Sequence, residues 1–178
     1  MNALSIVALL LLASPQVAEQ KPGSETVLGP QNPELHEGAE LIKAGNISQD
    51  PEMVRRGIEL TQAGLRYARG DRDENAGLSN LCAAFIITRE LDRAIGYCDL
   101  AIQRDPNNWH AYSNRALAYI FKKDFAAAER DLNRGLEIQP NSRILEKVRL
   151  LYLNETDPVE PQVVIDDRGS IDVQQLPE

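Results

Sequence analysis

The sequence predicts an all-α fold: an α-α superhelical stack of helical hairpins closed by a C-terminal capping helix. Three observations predict it. Two adjacent segments, Asn75–Asn108 and Trp109–Ser142, share a 34-residue period, and a fixed period of this length marks stacked supersecondary units. Their key positions agree in register: Leu78 with Tyr112, Cys82 with Ala116, Phe85 with Tyr119, Leu91 with Phe125, Ala94 with Ala128, Cys98 with Leu132 and Ala101 with Gly135. Each segment also closes on a proline, Pro106 or Pro140, and proline cannot continue a helix.

The elements follow in order. Ile6 to Ala13 form an apolar run, far short of the ~20 residues that span a bilayer. Pro15 breaks the run and small residues follow, so residues 1–18 read as an export signal cut after Ala18. That places the mature chain in the periplasm or outside the cell. Met1–Ser5 lacks Lys and Arg and Gln16 is large for its place, so an uncleaved N-terminal helix is the alternative. No cysteine follows the run, which argues against a lipid anchor.

Residues 19–32, with Pro22-Gly23 and Gly29-Pro30, read as a linker. A helix starts at Pro33 and runs to about Ala44, where Gly45-Asn46 should stop it. Asp50 caps a second helix that starts at Pro51 and continues to Arg69-Gly70. The pair forms a degenerate first repeat over residues 33–70. Gly38, Gly57 and Gly64 stand at its small-residue sites, and the turn between the helices is several residues too long.

The two clear hairpins follow, Asn75–Thr88 with Leu91–Arg104 and Trp109–Lys122 with Phe125–Ile138. Their turns centre on Arg89-Glu90 and Lys123-Asp124, and Asn108 can cap the helix beginning at Trp109. Residues 143–153 form a last, unpaired helix with Ile144, Leu145, Val148 and Leu151 on one side. It covers the apolar end that any repeat stack exposes. The tail, residues 154–178, is acidic and proline-bearing, and composition of this kind favours disorder. Its Val163-Val164-Ile165 run is the part able to dock.

These residues resemble the tetratricopeptide repeat family. The pattern of a bulky, a small and an aromatic residue on the first helix is met by Tyr112, Ala116 and Tyr119, and by Leu78, Cys82 and Phe85. The pattern of the second helix is met by Ala128, Leu132, Gly135 and Pro140, and by Ala94, Cys98, Ala101 and Pro106. The resemblance covers Asn75–Ser142 specifically and Pro33–Gly70 more loosely. One position departs: Leu81 fits the family, whereas its equivalent is Arg115, which needs a carboxylate partner or a route to the rim.

The resemblance implies a concave surface built from the first helices, in which an extended peptide or a partner helix lies. By register its residues are Ala76, Ser79, Asn80, Ala83, Ile86 and Ile87, then His110, Ser113, Asn114, Leu117, Ile120 and Phe121. Asn80 and Asn114 share one register position, and an Asn side chain offers a donor and an acceptor to a peptide backbone. They equally suit a solvated helix face. The candidate partner-binding set is Asn80, Ala83, Ile87, His110, Asn114, Leu117 and Phe121. Members that grip a C-terminal carboxylate use Lys and Arg where this chain has Ala76, Ser79, His110 and Ser113. That mode of recognition is therefore not expected, and an apolar or mixed ligand is.

Cys82 and Cys98 are the chain's two cysteines. They fall at inward positions on the two helices of one hairpin. In an oxidising compartment they can form a disulfide worth roughly 3 kcal/mol. In a reducing one they are small core residues. With His36 and His110 scattered, they lack metal-ligand spacing, and no cofactor motif occurs. No nucleophile motif frames Ser79, Ser113 or His110, and His110 reads as a surface histidine. Asp71, Asp73 and Glu74 read as a solvated turn, because Arg72 interrupts the oxygen spacing of a calcium loop. The net charge of −8 argues against nucleic-acid binding. The expected function is thus a non-enzymatic scaffold or adaptor for a protein or peptide, with no stable membrane span. A self-associating structural protein of the cell envelope, and hence a homo-oligomer, is the alternative.

Overall fold

Side-chain caps and the chain's prolines fix where helices begin. The computed structural model describes residues 32–157, 164–165 and 171–172. The expected signal (1–18), the linker up to residue 31 and most of the tail, Val163 included, lie outside the described residues. Seven helices fill the described 32–157 segment: α1 Pro33–Ser48, α2 Pro51–Leu65, α3 Asp71–Ile87, α4 Leu91–Arg104, α5 Trp109–Lys122, α6 Phe125–Ile138 and α7 Arg143–Thr156. Asn32, Asp50, Asn108, Asp124 and Ser142 each accept a hydrogen bond from a backbone N–H of the first turn that follows. Gly70 gives α3 no side-chain cap. Asp71, Asp73 and Glu74 instead place negative charge at the positive end of its dipole.

The helices pair as antiparallel hairpins, α1/α2, α3/α4 and α5/α6, and α7 packs on α5 and α6. Gln49, Arg89 and Lys123 adopt positive φ (57°, 64° and 61°) at the three hairpin turns. The backbone of each turn is thus the same although none of the three is glycine.

Four boundaries differ from the sequence expectation. The first helix continues through Gly45 and Asn46 to Ser48, and its left-handed cap is Gln49. The first hairpin turn is therefore as short as the others. The second helix ends at Leu65, short of Arg69-Gly70. The third begins at Asp71, not Asn75, because the acidic turn read as a solvated loop favours a helix N-terminus. The last runs to Thr156, three residues past 153, and Leu150 and Leu153 stay exposed on it. In the tail, Val164–Ile165 pairs antiparallel with Ile171–Asp172, a short ladder that composition did not suggest.

Each hairpin closes on small residues. A Cβ at Gly57 would sit 2.8 Å from Gly38 O and 2.8 Å from Ile42 N. One at Gly45 would sit 2.8 Å from Val54 N, and one at Gly64 2.9 Å from Leu35 N. The backbones of α1 and α2 are in direct contact along this line. Gly45, expected to stop the first helix, is part of that contact. In the second hairpin Cys82 and Cys98 are joined, with their Cα atoms 5.2 Å apart. In the third, Ala116 and Ala128 are fully buried. Large side chains fill the spaces between these contacts: Ile42, Val54, Leu81, Phe85, Ile86, Leu117, Leu145 and Val148.

Two glycines make the packing testable. Gly57→Ala should destabilise the chain by about 1–3 kcal/mol, because its methyl group meets backbone on α1. Gly96→Ala, on α4 where a Cβ meets nothing within 4 Å, should stabilise it by about 0.5–1 kcal/mol. Denaturant midpoints of the two variants check both signs.

Candidate functional site

The first helices α1, α3, α5 and α7 touch neighbour to neighbour and form one continuous layer, with α2, α4 and α6 behind it. The seven candidate residues lie on α3 and α5 of this layer. They divide by exposure. Asn80, Ile87, His110 and Phe121 are half-buried. Ala83 is 0%, Leu117 1% and Asn114 5% exposed, so these three are corrections to the expectation of a free groove surface. Ala83 and Leu117 belong to the apolar core. Register alone cannot separate a helix face that looks into a groove from one that closes on the next hairpin.

His110 is also not the surface histidine expected. Its ring stacks on Trp109, with centroids 3.5 Å apart, and burial holds its imidazole down to about 4. It is neutral at physiological pH and supplies no cation to the layer. Phe121 is shared with a residue that the pattern did not single out: the Arg89 guanidinium lies 4.0 Å from its ring centroid. Arg89 reaches this place from the left-handed turn position.

A polar cluster ties α3 to α5. Asn108 Nδ2 donates to Asn75 Oδ1 (2.7 Å) and to Ser79 Oγ (2.9 Å), while its Oδ1 caps α5. One period later Ser142 replaces Asn108 and Ser113 replaces Ser79. The Ser142 hydroxyl caps α7 by accepting from Leu145 N. Ser113 Oγ is buried and finds no hydrogen-bond partner among the described residues.

Arg115, the departure from the repeat pattern, has its carboxylates. Its Nε and Nη2 donate to the two oxygens of Asp131 at 2.7 Å each, and Nη1 donates to Asp99 Oδ1 at 2.5 Å. Asp99 lies on α4 and Asp131 on α6, so the guanidinium joins two hairpins. Hydrogen bonds to Asp131 hold Arg115 firmly charged. Burial pushes Asp131 up against the opposing pull of Arg115, and the bidentate contact with a permanent cation keeps it a carboxylate. Among the described residues no cluster of three metal-ligand side chains occurs, and no helix is long and apolar enough to cross a membrane.

Paired antiparallel helices, a repeated left-handed turn and a layer of first helices define a helical-hairpin repeat stack. Residues 110–142 match the family described as tetratricopeptide repeat. Over 74 residues it is 30% identical to the tetratricopeptide repeat and J domain-containing co-chaperone DNJ1 of Mycosarcoma maydis. That match spans 39% of this chain and 13% of the relative. The first TPR domain of human RPAP3 superposes with a TM-score of 0.53 at 21% identity, over 68% of this chain and 96% of that domain. The Arabidopsis OM64 TPR domain gives 0.53 at 17%, over 67% and 96%. The first TPR of Spaghetti, bound to the HSP90 peptide SRMEEVD, gives 0.50 at 21%, over 65% and 90%. At these identities the likeness is one of fold.

Two results are expected. Asp131→Ala should cost about 1–3 kcal/mol, since it removes the bidentate partner and leaves the partly buried guanidinium with Asp99 alone. Arg115→Leu with Asp131→Tyr, which copies Leu81 and Tyr97 from the preceding period, should recover most of that loss. Urea unfolding measures both. Separately, an unfolded histidine titrates near 6.5 and His110 near 4, so the unfolded state takes up the proton first. Stability should therefore fall as pH drops from about 6.5 towards 4, and His110→Gln should flatten that part of a melting-temperature profile.

Proposed function

We propose that this chain is an exported interaction module that captures a peptide or a partner helix against the layer of first helices. The observation that carries this reading is the unbroken contact of α1, α3, α5 and α7, which gives a ligand one face spanning all three hairpins. Asn80, Ile87, His110 and Phe121 keep part of their surface on α3 and α5, and combine amide, aliphatic and aromatic contact. The peptide on the first TPR of Spaghetti supports ligand capture by a domain of this fold.

An acidic C-terminal tail of that kind is not the ligand proposed here. The positions expected to hold cations carry Ala76, Ser79, His110 and Ser113, and His110 is neutral. A ligand with apolar side chains fits the remaining residues better. Export rests on the apolar run before Pro15 and on the Cys82–Cys98 bridge, a feature of oxidising compartments. The remaining residues give no support to an enzymatic role.

Peptides selected by display against the whole chain should be rich in apolar residues, and SRMEEVD should show no saturable binding. Asn80→Ala with Phe121→Ala should weaken the best selected peptide at least about tenfold, as loss of a central contact does, with helicity unchanged. Full affinity in that variant would move the site elsewhere. Intact mass of the protein from its host should lack the first eighteen residues, and a full-length mass would remove the export reading.

A further inference from the structure

Among the described residues, the outer face of α7 is a helix-pairing seam without a partner. Counted in the 34-residue period, Leu150 corresponds to Cys82 and Ala116, and Leu153 to Phe85 and Tyr119. Cys82 and Ala116 are fully buried and Phe85 nearly so, whereas Leu150 is 57% and Leu153 43% exposed. In each hairpin the second helix covers these positions. Among the described residues α7 is therefore a first helix lacking a second. The chain that follows is poorly suited to supply one. Pro158 and Pro161 oppose helix, and the residues described beyond them pair as a short ladder.

The charges on this face say what fits it. Arg143, Glu146, Leu150 and Leu153 recur along α7 at alternating steps of three and four, the spacing of one helix–helix seam, and Asp157, which caps the C-terminus of α7, stands at the next step. The basic residue stands at the helix start and the acidic one at its end, the reverse of what the helix dipole favours. An antiparallel copy of α7 centred on Leu150 reverses that cost, since Arg143 of each copy then faces Asp157 of the other. A parallel copy would set like charges together. Glu146 pairs within its own helix, with Arg149 at 3.7 Å.

We propose that two copies of this chain associate antiparallel through the α7 face formed by Arg143, Glu146, Leu150, Leu153 and Asp157. The face is distinct from the ligand layer and does not depend on that reading. One helix face is small for an interface, so the dimer is weak and reversible.

Sedimentation equilibrium of the whole chain over a wide concentration range tests this. The native chain should pass from monomer to dimer as concentration rises. Leu150→Glu with Leu153→Glu should remain monomeric, while circular dichroism shows unchanged helicity because both side chains are exposed. Arg143→Asp and Asp157→Arg should each weaken the dimer several-fold alone and restore it when the two variants are mixed. A native chain that stays monomeric, a dimer that survives the double Glu substitution, or a mixture without rescue would each overturn the proposal.

Discussion

The structure depends on how closely the two helices of each hairpin approach. Three different chemistries hold that distance. In the first hairpin Gly38, Gly45, Gly57 and Gly64 leave the two backbones touching. In the second a disulfide joins positions that in other hairpins hold small or aliphatic residues. In the third, alanines suffice. Large side chains also reach the adjacent hairpin, Leu35 and Leu65 at Gly77 and Leu145 at Gly135, and that packing builds the stack.

The polar groups show what happens when a repeat is copied imperfectly. Asn108 caps α5 and ties it to α3 through Asn75 and Ser79. Ser142 in its place keeps the cap, and Ser113 Oγ finds no partner among the described residues. Arg115 is the opposite case. It stands where the repeat prefers Leu, and two carboxylates from different helices compensate it. A lone buried charge would not survive there, so Arg115 and Asp131 exchange only as a pair.

The fold class was legible because a 34-residue period states helix pairing twice in one chain. Prolines and caps located α4, α5 and α6, since proline acts locally and without regard to tertiary context. Gly45 misled because glycine both ends helices and permits close approach, and only the partner helix decides which. The acidic turn at Asp71 misled for a similar reason: negative charge suits a solvated loop and a helix start equally. At the candidate site, register found the correct helices but not exposure. Asn80 and Asn114 are equivalent by sequence, yet one is half-buried and the other 5% exposed. The contact of Arg89 with Phe121 spans two hairpins and left no periodic trace.

Close pairing within each hairpin holds the stack together, and the Cys82–Cys98 link is the one closure that can be opened without changing the sequence. Denaturant unfolding of the native chain and of the same chain under reducing conditions measures it directly. Separated by 16 residues in sequence, the linked pair should make the oxidised form more stable by roughly 3 kcal/mol, with both forms unfolding in one cooperative step. Equal midpoints, or a reduced chain in which the hairpins melt separately, would contradict the claim that close pairing within the hairpins holds the stack together.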